Sequence, residues 1–171
     1  MEQRLVGGSK APEFSSLAAG SGREIGLQSC AGRKLVLIFH LQNTAQTAEK
    51  INQAVRERYP STDEVLVASV IDLSLVPPLY WPTINLVLGN AYNQASTRIP
   101  AGFDPADYIV ILQDWGGLIS RKFGVRGVNR MAAVVIVDEE SRVEGFYQGG
   151  KPVEYVLEVF GGQEINGGSG G

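Results

Sequence analysis

Residues able to do chemistry are scarce in this chain, and the scarcity decides a good deal. One cysteine, Cys30, and one histidine, His40, occur in 171 residues. A lone cysteine excludes an intrachain disulfide and a Cys-x-x-Cys dithiol. No HxxH, HExxH or Cys/His cluster accompanies His40, so neither a metal site nor any other cofactor is expected. Two hydroxyls, Thr44 and Thr47, sit three residues apart in Asn43-Thr44-Ala45-Gln46-Thr47. A threonine nucleophile needs a base held by a third group. His40 is the one candidate base, and no third group is apparent, so no catalytic residue is assigned. The simpler expectation is that Thr44 caps a helix, a role worth about 1 kcal/mol. Cys30 carries two open readings: a bystander, or a reactive thiol if it is exposed and its pKa is low.

Other polar groupings read as turns. VGGS, WGGL and QGG match neither GxxxxGK[ST] nor GxGxxG, so no phosphate loop is present. Asp138-Glu139-Glu140 reads as a solvated hairpin turn, and Asp104 and Asp107 as caps or turn residues. The run Val76-Pro77-Pro78-Leu79-Tyr80-Trp81-Pro82 is different. Preorganised prolines beside aromatics suit a docking surface with Tyr80 and Trp81 as anchors. The competing reading packs both rings into the core.

The elements that position these residues follow from periodicity. Lys34–His40 is an unbroken apolar run of strand length, as in a strand buried on both faces. A helix is expected from about Ala45 to Tyr59, with Ala48, Ile51, Val55 and Tyr59 on one face and Pro60 as its stop. Strands are expected at Glu24–Gln28, Glu64–Leu73, Tyr108–Leu112, Met131–Asp138 and Arg142–Gln148. Helices are expected at Thr83–Ser96, with an apolar stripe of Ile84, Val87, Leu88, Ala91 and Ala95, at Gly117–Phe123, and from Pro152 to Phe160. Residues 1–22 read as mostly loop. Alternating strands and helices imply a central, mainly parallel sheet with helices on both faces, to which the closing hairpin adds antiparallel strands, and so an α/β sandwich with a mixed sheet. One domain over residues 1–160 is expected, then a flexible glycine-rich tail at 161–171.

Composition excludes other classes. With 15 basic and 18 acidic residues the net charge is −3, and no basic patch with interleaved aromatics suggests nucleic acid. The longest apolar runs are too short to span a bilayer. The first residues lack the apolar core of a signal peptide. A cytoplasmic protein is the expectation, or one from which a targeting segment has been removed.

Four phrases, in order, resemble the peroxiredoxin and redoxin branch of the thioredoxin-fold superfamily. Val6-Gly7 with Lys10-Ala11-Pro12-Glu13-Phe14 is similar to that family's opening. GREIGLQSCAGRKLVLIFH, DWGGLISRKFGVRG and VVIVDEESRVEGFYQG resemble three later family phrases. The resemblance covers roughly residues 6–160 and implies a thioredoxin-like fold with an insert at about 76–107. It also implies where redox chemistry would sit, in the turn after the apolar strand. The two cysteine positions of that turn fall on Thr44 and Thr47, and a threonine has no thiolate to offer. The family's cis-proline place falls near Ala132, where there is no proline. Arg130 lies about two positions from a family arginine, and that role is not carried over.

Two functions are expected on these grounds. The first is a redox-inactive thioredoxin- or peroxiredoxin-like protein acting as a binding, structural or assembly module through a protein partner or self-association. The second is an atypical thiol-dependent oxidoreductase or antioxidant protein using Cys30 or a partner's cysteine. A small-molecule pocket at the emptied turn is a third, lesser reading.

Overall fold

The computed structural model describes residues 5–167, the side chains of 162–167 excepted. Its centre is a five-stranded sheet in the order β5-β4-β3-β6-β7, built from β3 (Lys34–His40), β4 (Val65–Leu73), β5 (Val110–Trp115), β6 (Ala133–Val137) and β7 (Val143–Tyr147). The β3 strand lies parallel to β4, and β4 parallel to β5; β6 is antiparallel to both β3 and β7. The sheet is therefore parallel on one side of β3 and antiparallel on the other, the mixed sheet that the order of elements implies.

Because strand side chains alternate between faces, β3 feeds two cores. Leu35, Leu37 and Phe39 join Leu66, Val70, Leu112 and Val135 on one face. Val36 and Ile38 join Val67, Val134 and Ile136 on the other. The first face is closed by α4 (Leu118–Lys122) and a small antiparallel pair, β1 (Ser15–Leu17) with β2 (Glu24–Gly26). There the Phe123 ring meets Phe14 at 5.7 Å and Phe39 at 5.8 Å. The second face is covered by α1 (Ala45–Arg58) and α5 (Pro152–Gly167), which contribute Ile51, Val55, Val156 and Phe160.

Several boundaries differ from expectation for local reasons. The three-residue β1 lies in a segment read as loop, because Ser-Ser-Leu is too short to show a period. The start of β5 moves to Val110 because Pro105–Tyr108 forms a single helical turn, α3, capped by the Asp104 carboxylate accepting from Ala106 N at 2.9 Å. Helix α2 (Trp81–Ser96) begins at Trp81 rather than Thr83, after a 3-10 turn at Pro78–Tyr80. Pro82 is tolerated there because the first helical N–H groups have no intrahelical acceptor. Helix α5 runs past Phe160 to Gly167, since glycine lowers helix propensity without forbidding it. Of the expected tail, residues 168–171 lie outside the described residues. Among those described, no helix is long and apolar enough to cross a membrane.

Candidate functional site

The turn at the C-terminal end of β3 is the site to which the sequence points. It is built from a 3-10 turn, Gln42–Thr44, that runs straight into α1. Thr44 is buried and stands at the N-cap of α1, yet its side chain accepts nothing from the first turn of that helix. This corrects the expected cap. The hydroxyl turns backwards instead, accepting from Leu41 N at 3.0 Å and donating to Val128 O at 2.9 Å. Beside it the Asn43 amide donates to Asn129 O. The bonds to Val128 and Asn129 tie the turn to the loop ahead of β6, which is why Thr44 faces inward rather than along the helix axis. Thr47 is half-buried in the first turn of α1.

His40 is buried one step before the turn, and its Nδ1 donates to Leu41 O at 3.0 Å. Burial lowers its pKa from the ordinary 6.5, with the Leu41 carbonyl pulling weakly the other way. The ring is therefore neutral at pH 7. It makes no hydrogen bond to Thr44, whose hydroxyl is already committed to backbone. A cavity of about 400 Å³ opens beside the turn, lined by His40, Ala48, Asn52, Ser69, Arg98 and Tyr108 among others. No group of three or more His, Cys, Asp or Glu able to hold a metal occurs among the described residues.

Cys30 is 3% exposed and belongs to the first core. Burial raises its thiol pKa above 9.0, against smaller opposing effects of Ser29 and Arg33. The thiol is therefore protonated at neutral pH, the state of an inert structural cysteine. It also precedes the N-terminal end of β3, whereas Thr44 lies beyond the C-terminal end. Seven residues of strand separate the two ends, roughly 23 Å at the usual rise. The structure thus brings Thr44, Thr47 and His40 to one end of the sheet and leaves Cys30 at the other.

Tyr80 and Trp81 lie elsewhere, at the start of α2, and both are exposed. Trp81 is partly held by its own chain. Its ring packs on Trp115 at 4.8 Å, and its Nε1 donates to Val76 O at 3.0 Å.

Among the buried charged groups not singled out from sequence are Asp114 and Arg56. Asp114, 1% exposed, accepts from Ile119 N, Ser120 N and Ser120 Oγ at 2.7–2.9 Å and so holds the start of α4. The aspartate ahead of Gly116-Gly117 was the available signal. The buried Arg56 donates from Nη1 to Val65 O at 2.8 Å and packs over the Tyr108 ring. Its position on α1 reads as solvated, and nothing in the sequence marks it.

No family model matches the chain, and no curated protein sequence matches it. Solved structures do. A thiol peroxidase from Chromobacterium violaceum superposes with a TM-score of 0.67 at 10% identity, over 97% of this chain and 91% of that one. A putative thiol:disulfide interchange protein DsbE from Chlorobium tepidum gives 0.60 at 22% identity, over 95% and 97%. The exposed lipoprotein thioredoxin Etrx1 of Streptococcus pneumoniae gives 0.59 at 16% identity, over 88% and 98%. The chain has the thioredoxin fold.

The turn generates two expected outcomes. Thr44→Val should cost about 1–3 kcal/mol in a urea melt, because Leu41 N and Val128 O lose their partner in a buried place. Thr44→Ser should recover most of that. A loss within about 0.3 kcal/mol for Thr44→Val, well under a buried unmet bond, would show that the hydroxyl does not hold the turn. The second outcome concerns pH. A histidine whose folded pKa is depressed binds fewer protons in the native state than in the unfolded one, so its burial contributes stability above 6.5 and loses it as pH falls below that value. Unfolding free energy should drop between pH 7 and 5, and His40→Gln should flatten the slope. An unchanged slope would contradict a neutral, buried His40.

Proposed function

We propose that this chain is a redox-inactive thioredoxin-fold protein that serves as a binding, structural or assembly module. The observation that carries the reading is the Thr44 hydroxyl. It occupies the place where thiol chemistry would need a free, ionisable sulfur, and it is committed to two backbone groups. A hydroxyl cannot pass through thiolate, sulfenate and disulfide states. Cys30 offers no substitute, because it is buried, protonated and at the far end of the sheet. The docking surface assigned to the module is the insert carrying α2, with exposed Tyr80 in front and Trp81 braced on Trp115. A cytoplasmic setting belongs to the same proposal, since a single free thiol suits a reducing compartment.

The test is turnover. With a thiol reductant present, the protein should consume neither peroxide nor a disulfide substrate above the buffer rate, and Cys30→Ser should behave identically. Turnover abolished by Cys30→Ser would move the assignment to a one-cysteine oxidoreductase. Turnover that survives Cys30→Ser would mean that the threonine turn does not disable the fold.

A further inference from the structure

Helix α2 differs from α1, which buries Ala48, Ile51, Val55 and Arg56. It is sixteen residues long and contains no buried residue. Ile84, Leu88, Tyr92 and Ala95 are half-buried on the side facing the body, while Val87 and Ala91, expected in the inward stripe, are exposed. Tyr92 closes over Gly20, where a Cβ would stand 2.3 Å from its ring. Away from the body α2 exposes Leu86, at 69%, with Val87 beside it, and the approach to the helix exposes Leu75, Leu79, at 81%, and Tyr80. Such a helix is poorly supported by its own sequence. Asparagine, β-branched residues and Gly89 all lower helix propensity, and a helix of this length is marginal without tertiary packing. Something must cover its outer side.

The chemistry of the cover is narrow. From Leu73 to Thr97 there is no Lys, Arg, Asp or Glu. A membrane-surface helix draws on basic residues along its polar face, and α2 has none. A charged peptide would find nothing to pair with. The matching surface is neutral and apolar, and the copy of α2 on a second chain is such a surface. A two-fold interface places one patch against itself, which an uncharged patch accepts without like-charge repulsion. The area agrees as well. The exposed parts of Leu75, Leu79, Tyr80, Trp81, Leu86 and Val87 amount to about four whole residues. At ~150 Å² each, the low end for an aromatic side chain, that is on the order of 600 Å², against ~800 Å² per partner in a standard interface.

We propose that the start of α2, with the 3-10 turn ahead of it, is a homodimer interface, in which these segments of two copies cross antiparallel about a two-fold axis near Thr83. Crossing there sets Leu79 of each copy, in the 3-10 turn, against Leu86 of the other, in α2, since the two residues lie four before and three after Thr83. Tyr80 and Val87 then flank the contact, and the polar Asn90 and Asn93 fall toward its rim. The inference rests on the reading of the chain as an assembly module and names its partner.

Sedimentation velocity on the full chain tests it. At ~50 µM the wild type should run at twice the chain mass. Leu86→Glu should weaken association at least ~30-fold, the effect of losing an interface anchor, while its melting temperature holds, because Leu86 contributes to no core. Thr83→Glu and Thr83→Lys should each be monomeric alone and pair when mixed, an outcome only a self-apposed position gives. A wild-type monomer at that concentration overturns the dimer, as does a dimer that Leu86→Glu leaves intact or a Thr83 pair that fails to associate on mixing. These results bear on pairing alone. The non-redox reading stands or falls separately, on turnover.

Discussion

Everything in this fold hangs on one strand buried on both sides. The β3 strand lies between β4 and β6, and none of its apolar residues is more than 1% exposed. Its alternate side chains nucleate two cores that share no residue. Emptying either core would cost several kcal/mol per large side chain, so the strand's position is fixed from above and below. Even its first residue is held, with Lys34 Nζ 2.7 Å from Glu144 on β7. A strand so constrained delivers the next residues of the chain to a defined place. Those residues are Leu41–Thr47, at the end of a parallel pair, where open α/β sheets tend to place their sites.

The same constraint explains how a chain that matches no family model keeps a thioredoxin fold with threonines at positions 44 and 47 of this turn. The fold depends on the hydrophobic alternation of β3 and its neighbours, and not on sulfur. In the turn, Thr44 fills a buried place and satisfies one donor and one acceptor that would otherwise be unmet. A buried polar group left without a partner is costly, so a hydroxyl at this point has structural value of its own. Thr44 is thus a component of the scaffold, joining the β3 turn to the loop before β6.

Much of this was legible in the sequence, and the gaps have physical causes. The uninterrupted KLVLIFH run identified the central strand, and Pro60 and Pro152 bounded helices, because these signals are local. The direction of the Thr44 hydroxyl was not legible, since its acceptor, Val128, is distant in the chain. The burial of Cys30 was not legible either, since it joins a core assembled from residues as distant in the chain as Val143. In α2 the apolar positions were visible but their sides were not. An uncharged helix has residues on every side that resemble a buried stripe, and only the position of the body beside it decides which are covered. Arg56 escaped for the reverse reason, because a charged residue on a helix defaults to solvent until Tyr108 and Val65 are seen around it.

A dithiol placed at positions 44 and 47 tests most directly the proposal that this turn stands where a thiol–disulfide turn would sit. Positions 44 and 47 are three apart at a helix start, where Cα atoms fall within the roughly 4.4–6.8 Å that a disulfide spans. The direct measurement is disulfide formation in Thr44→Cys with Thr47→Cys on a Cys30→Ser background, read by free-thiol titration and mass under mild oxidant. The account predicts an intramolecular disulfide that closes to completion in the folded protein and reopens with dithiothreitol. Two thiols that stay free, or that link only between chains, would contradict it.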